Sequence, residues 1–290
     1  MNISYLLVIS AAAMWGAIGL FSKIGGHIGF APMEICFLRS AFAVILLGLF
    51  FAVTDRKIFK LEKITDLKYF VGTGIISFSL NNWAYIESIK ETSMGVAAIL
   101  LYTAPAIIMI ISSVLFHEKI TKIKVAALIL TFMGCVFVTG IIGTENVISM
   151  RGFVFGILSA IGYGLYSIFG KIALRKYSSV TVVFYTFVMS GLFFTAMINP
   201  MDTVSKINAT GSWVYVLCFA ACTSSIPYIL YTKGLSGIEA TKASILANIE
   251  PVTAAIIGVI VFSEPMDIFK TLGIAMVVGA VCMLNLTSEK

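Results

Sequence analysis

Glu250 is the one acid placed deep within an apolar run of this chain, residues 243–263. A carboxyl group near mid-bilayer is penalised by roughly 2.5–3.5 kcal/mol even on lenient insertion scales, so its presence calls for a use or a partner. Two chemistries are open to it. It can exchange a proton or meet a substrate ammonium group. Alternatively, it stays protonated and satisfies carbonyl groups that Pro251, lacking an N–H, leaves free. Its face-mates Ala243, Ala247 and Ala254 are small, which permits either close helix approach or a wet pocket.

Around this acid the sequence supplies hydroxyls, amides and aromatic rings at helical spacing. Ser77, Asn81, Tyr85 and Ser88 fall on one stripe, and Ser224, Tyr228 and Tyr231 on another. Trp15 and Tyr163 hold equivalent places in the two halves of the chain, as do Tyr102 and Asn248, and Tyr166 lies one turn beyond Tyr163. Within lipid such groups point inward or into a cavity. The expected substrate-binding set is therefore Trp15, Asn81, Tyr85, Tyr102, Tyr163, Tyr166, Ser224, Tyr228, Tyr231 and Asn248, with Glu250 in a coupling role. Aromatic rings beside amides suit a small amphipathic or cationic organic solute, because rings hold ammonium groups by cation–π attraction. The opposing reading is that these groups tie helices together, at about 0.6 kcal/mol per bond.

Catalytic inventory is thin. The chain has two histidines, His27 and His117, and neither an H-E-x-x-H run nor a serine elbow. No G-x-x-x-x-G-K-[ST] stretch offers a nucleotide site. Cys218 and Cys222 are one turn apart without further ligands nearby, so neither a metal nor any cofactor is expected.

The elements that must carry these residues follow from composition. Of 290 residues, 59% are hydrophobic and 12% charged, about half the charge of a soluble domain. Charge-free runs cover 2–22, 40–54, 69–86, 92–116, 125–144, 152–170, 177–201, 207–232 and 271–288, with 243–263 broken by Glu250 alone. Each approaches the ~20 residues that span a hydrocarbon core. Residues 2–22, without a basic leader, read as a first span and not as a cleaved signal. Ten spans with the N-terminus inside put most Lys and Arg on the cytoplasmic side, with both termini there and positions 145 and 206 outside. The net charge of +6 then reflects topology and lipid headgroups, with no nucleic-acid partner.

The chain also repeats itself. Trp15-Gly16, Phe21 and Lys23 return as Tyr163-Gly164, Phe169 and Lys171, while Tyr85, Ala97, Leu100, Pro105, Glu118 and Lys124 return as Tyr231, Ala243, Leu246, Pro251, Glu264 and Lys270. Residues 1–144 and 145–290 are the expected repeats. Five spans being odd, the second enters the membrane inverted, the arrangement that exposes one midplane site alternately to each side.

The segments Ala97-Ala98-Ile99-Leu100, Pro105, Phe116-His117-Glu118-Lys119, Lys124 and Gly134 resemble the first-repeat signature of the drug/metabolite transporter superfamily, EamA branch. Ala243, Ile249-Glu250-Pro251-Val252, Phe262-Ser263-Glu264-Pro265, Gly273 and Gly279 resemble its second-repeat signature, and Phe37-Leu38-Arg39-Ser40 fits as well. The resemblance implies an all-α membrane protein with ten transmembrane helices, built as two inverted five-helix repeats around a central cavity. It also implies movement of small organic metabolites. Small four-helix relatives carry a glutamate in their first span; residues 2–22 here contain no acid, so that coupling site does not transfer.

The expected function is secondary active transport, as an exporter of amino acids or related amines in the cell (inner) membrane, acting as monomer or homodimer and possessing no enzymatic role. A facilitative uniporter or an importer is the alternative, a channel or membrane enzyme the remoter one. Arg39 is expected to snorkel or to pair with Glu34 near the outer end of its span. Lys23 and Lys171 are expected at helix ends, Glu118 and Glu264 as loop anchors, and Pro105, Pro227 and Pro251 as kinks.

Overall fold

The computed structural model describes residues 3–141 and 149–286; position 145 and the expected boundary between 144 and 145 lie outside the described residues. Secondary structure among them is helical, without strands. Six helical rods are long and apolar enough to cross a membrane: Ile3–Ile28, Pro32–Thr54, Met94–Leu115, Met150–Ala173, Trp213–Gly237 and Ala240–Phe262. Ser179–Thr195 and Pro200–Thr210, bent by 99°, make a seventh if taken as one span. The other expected runs are not single full-length apolar helices. Lys122–Val138 has 17 residues, the described apolar part of the last helix is Ile268–Leu284, and residues 67–91 are interrupted by a π-helical stretch, Gly72–Ser79.

Outer faces carry apolar side chains that only lipid can cover. Leu49, Phe50, Val53, Ile110, Val114 and Ile260 are all more than half exposed. Hydroxyls are turned inward: Ser40 meets Ser190 at 2.9 Å, Ser79 donates to Ser190 at 3.1 Å, and Thr73 meets Thr186 at 2.6 Å. These bonds tie three rods together where the chain has no water to satisfy them.

Helix pairing recurs between the two halves. Leu80–Glu91 packs on Met150–Ala173, and its counterpart Ile226–Gly237 packs on Ile3–Trp15. Lys122–Val138 lies along Ile268–Leu286, where a Cβ on Gly134 would fall 2.8 Å from the Gly273 carbonyl oxygen. Only glycine allows backbones to approach that closely. The largest core cluster joins both halves, with Tyr5, Val8 and Trp15 packed among Leu235, Ala243, Ile245 and Leu246.

Irregular backbone is placed at matching points. The π-stretches Gly72–Ser79 and Ala221–Ser225 hold Ser77 and Ser224. The rods bearing Pro105 and Pro251 break just before them, at Tyr102 (φ −72°, ψ 2°) and at Asn248 (φ −67°, ψ 4°). The first rod also breaks, between Trp15 and Ile18, whereas its counterpart Met150–Ala173 is continuous. Lys23 consequently sits inside a helix that runs on to Ile28 and not at its end; its ammonium lies 3.8 Å above the Phe262 ring. Lys171 does lie in the last turn of its helix.

Candidate functional site

Trp15, Ser77, Phe78, Asn81, Tyr163, Tyr166, Ser167, Tyr228 and Tyr231 line one central cavity of about 10 Å³, room for roughly one water. Six of the ten residues expected to contact substrate are in this lining. The Trp15 ring stands 5.0 Å from Tyr228, 5.2 Å from Tyr231 and 6.5 Å from Tyr163, and Tyr228 meets Tyr166 edge-on at 5.1 Å. The result is an aromatic box drawn from both halves of the chain.

Its polar groups divide into two kinds. The Tyr166 hydroxyl pairs with Thr232 at 2.7 Å and that of Tyr231 with Ser167 at 2.7 Å, so these hydroxyls join helices and only their rings face the cavity. By contrast, Trp15 Nε1 and Ser77 Oγ are buried without a hydrogen-bond partner, as is Asn248 Nδ2 at the break in its rod. Such a group costs about 1–3 kcal/mol when left unpaired. Two of these orphans, Trp15 Nε1 and Ser77 Oγ, belong to residues of the cavity lining, and unpaired groups tie no helices together.

Glu250 lies two residues past the Asn248 break. Gly16, in the break of the first rod, packs directly against it: a Cβ there would come within 2.8 Å of the Glu250 carbonyl oxygen. The Tyr163 hydroxyl lies near the Glu250 side chain. Tyr85 and Tyr102 are absent from the cavity lining; Tyr102 packs against Cys135, Val252 and Val277. Repeat symmetry gives Glu250 an apolar counterpart, Ala104, against whose helix Gly164 packs.

Ser224 and Arg39 explain one another. Arg39 is only 5% exposed; its Nε donates to Ser224 Oγ at 3.4 Å and its Nη2 to the Thr223 carbonyl at 3.2 Å. The expected pairing with Glu34 does not occur. Five residues along a helix turn the side chain by about 140°, and the Glu34 carboxylate is taken by Lys206 Nζ at 2.8 Å, Thr203 and the Ala31 N–H. Sequence reasoning left Arg39 out of the site. The signal was available: an arginine well inside an apolar run with no acid three or four residues away. Phe78 was missed because a stripe drawn at the α-helical period does not follow the π-stretch Gly72–Ser79, whereas Ser167, one turn past Tyr163 on a continuous helix, was within reach of that period. Ser88, drawn into the stripe, bonds the Gly152 carbonyl at 3.0 Å and serves as glue.

The two ends of the bundle differ. At one end Glu118 from the first half is 8% exposed and reaches across to the second. Oε1 accepts from Lys171 Nζ at 2.9 Å and the Ala240 N–H at 2.7 Å, and Oε2 from the Thr241 N–H and hydroxyl. It caps the helix Ala240–Ala247, which has no side-chain cap of its own. Burial works to raise the Glu118 pKa, but these donors outweigh it and hold the carboxyl below its ordinary range. At the same end, Asp66 accepts from Lys176 at 2.5 Å and Tyr177 at 2.6 Å, which lowers its pKa as well. At the other end the counterpart Glu264 is half exposed and meets Lys270 at 3.0 Å, while the helix Met94–Leu101 is capped locally by Ser93.

The model of the EamA-like transporter family matches residues 2–140 and 150–286. Among relatives, the uncharacterized transporter YxxF of Bacillus subtilis (strain 168) is 24% identical over 280 residues, covering 95% of this chain and 87% of that protein. An uncharacterized transporter of Archaeoglobus fulgidus is 26% identical over 274 residues, covering 94% and 93%. The uncharacterized inner membrane transporter YicL of Salmonella typhimurium is 23% identical, covering 98% and 96%. A solved crystal structure superposes with a TM-score of 0.80 at 14% identity over 99% of this chain and 97% of the other, a likeness of fold.

Proposed function

The chain belongs to the EamA-like transporter family, a multi-pass membrane protein, and from that premise we propose that it is a secondary active carrier exporting amino acids or related amines across the cell membrane. The observation that carries this reading is the buried aromatic box, with the orphaned Trp15 Nε1, Ser77 Oγ and Asn248 Nδ2 and the carboxyl of Glu250 at its side. Rings accept the apolar part of the solute and its ammonium group. The orphaned polar groups hydrogen-bond to it, and water is excluded on closure.

Alternating access supplies the mechanism. The unequal states of Glu118 and Glu264 support it: one end is latched between the halves while the equivalent end is not. With both termini in the cytoplasm, the latched end is the cytoplasmic one, and the state is one that loads or releases on the outer side. Glu250 carries the coupling proton. The test is counterflow in proteoliposomes: a carrier saturates, and substrate preloaded inside accelerates entry of labelled substrate. Linear, unsaturable flux without counterflow identifies a pore and ends this reading. Cysteines placed at positions 60 and 176 should label from the cytoplasm and one at 206 from outside.

A further inference from the structure

Arg39 is a cation buried among neutral groups. It sits seven residues into the helix Pro32–Thr54 and is 5% exposed, yet no ion pair among the described residues includes it. Its two hydrogen bonds, through Nε and Nη2, go to a serine hydroxyl and a backbone carbonyl. Nη1 has no hydrogen-bond partner among the described residues. The rings of Phe78 and Phe219 lie 5.6 and 5.7 Å from its carbon centre and restrict the guanidinium. A planar donor fork held in this way is built to take a carboxylate.

The position of the fork relative to the cavity gives the ligand its polarity. Phe78, one of the rings over Arg39, lines the central cavity, and so does Tyr228, 5.5 Å from Phe78. On the other side, Gly16, next to Trp15 of the box, packs against the backbone of Glu250, where a Cβ would fall 2.8 Å from its carbonyl oxygen. The two charges therefore bracket the aromatic box without forming an ion pair with each other. An amine alone leaves the guanidinium unmatched, and a carboxylic acid alone leaves Glu250 unmatched. A buried charge without a counter-charge is disfavoured, so the best guest carries both charges.

We propose that Arg39 binds the carboxylate of a zwitterionic amino acid whose ammonium group faces Glu250 and whose apolar side chain lies among the rings of the box. This rests on the reading of the cavity as the substrate site and narrows amines and amino acids to amino acids. Arg39 is thereby the residue that discriminates between them.

Equilibrium binding to purified protein tests it with two matched series: L-leucine, isopentylamine and 4-methylpentanoate, and L-phenylalanine, phenethylamine and 3-phenylpropanoate. The wild type is expected to bind at least one amino acid tenfold or more tighter than its own amine. Arg39→Gln abolishes that preference by weakening the amino acid while the amine keeps its affinity, and Arg39→Lys restores part of it. Amines that bind the wild type as tightly as their amino acids overturn the proposal and leave the cavity reading standing; this arm needs no variant, so a misfolded Arg39→Gln protein does not shelter the idea. A preference that survives in Arg39→Gln also overturns it. If neither series binds at all, the proposal and the reading of the cavity as an amine or amino-acid site fall together.

Discussion

Glu118 and Glu264 hold equivalent places in the two halves of the chain and stand in opposite states. Glu118 is buried and accepts the Ala240 and Thr241 N–H groups across the repeat interface, whereas Glu264 is half exposed and bonded to its neighbour Lys270. Inverted repeats that rock about a shared site exchange such states, so one structure displays both the made and the unmade version of a single joint.

Removing the made joint should loosen one end only. Glu118→Ala strands two backbone N–H groups and the Lys171 ammonium, a loss of about 2 kcal/mol for charge-assisted bonds, or roughly thirtyfold faster amide exchange at Ala240 and Thr241. Glu264→Ala removes a partly exposed pair and should cost under ~1 kcal/mol. Hydrogen exchange with single-residue resolution compares the two. Equal effects at both sites would mean that the asymmetry has no energetic content.

The latch should also have a defined acid limit. The folded-state pKa of Glu118 lies below the ordinary 4.5, so its stabilising contribution is fully present above that value. It is lost as pH falls through the depressed folded value, where protonation removes the acceptor for Lys171. Asp66, with its carboxyl lowered chiefly by Lys176 and next by Tyr177, follows the same sign. Protection of the Ala240 and Thr241 amides, corrected for intrinsic exchange, should therefore be flat from pH 6 to 8 and collapse in acid. A change centred near neutrality would contradict the assignment.

Orphaned groups predict an opposition between stability and binding. Ser77→Ala deletes a buried hydroxyl that has no partner, so the ligand-free protein should gain roughly 1 kcal/mol, by relief of an unpaired polar group. Substrate affinity should fall in the same variant. Thermal unfolding with and without substrate reads both, and a variant that is less stable when empty would show that the hydroxyl is bonded after all.

Ring and hydroxyl roles separate by substitution. Tyr166→Phe and Tyr231→Phe break bonds to Thr232 and Ser167 and should lower stability by about 0.6 kcal/mol each, with transport retained. Asn81→Ala, Tyr102→Ala and Tyr163→Ala should instead weaken transport by up to roughly a hundredfold, the loss of 1–3 kcal/mol of contact with a desolvated ligand, while the protein still folds and inserts. Uptake assays on all five variants give the comparison.

How much of this could be read from sequence depended on periodicity. Trp15, Tyr163 and Tyr231 were found because rings recurring at equivalent repeat positions survive any local irregularity, and Tyr228 because it shares a helical stripe with Tyr231. Tyr102 and Asn248 were paired correctly, but that both would sit at helix breaks required the prolines to act before their own positions, not at them. Stripes through residues 72–91 were drawn at 3.6 residues per turn, and the wider π-stretch Gly72–Ser79 admitted Phe78 to the cavity while Ser88 went to a helix contact. Arg39 was misread because proximity in sequence to Glu34 is not proximity on a helix. The full set of ten expected spans was drawn from charge-free runs, which do not reveal where a rod is bent by 99° or interrupted.

The proposed coupling rests on Glu250, because the opposite half offers Ala104 at the same place and the cavity lining contains no acid. Each charge moved down the membrane potential supplies about 2.3 kcal/mol per 100 mV, enough to hold a roughly fiftyfold gradient. Glu250→Gln keeps the shape and a hydrogen-bonding group for Tyr163 but cannot take up or release a proton. In proteoliposomes this variant should still exchange substrate across the membrane, at higher substrate concentration because the ammonium group no longer faces a charge, and lose accumulation driven by a pH gradient. Exchange and accumulation have to be measured on the same preparation, since a carboxyl that only satisfied the backbone near Pro251 would, when replaced by an amide, leave both intact or damage both together. Loss of accumulation with exchange preserved is the result that only a proton carrier produces.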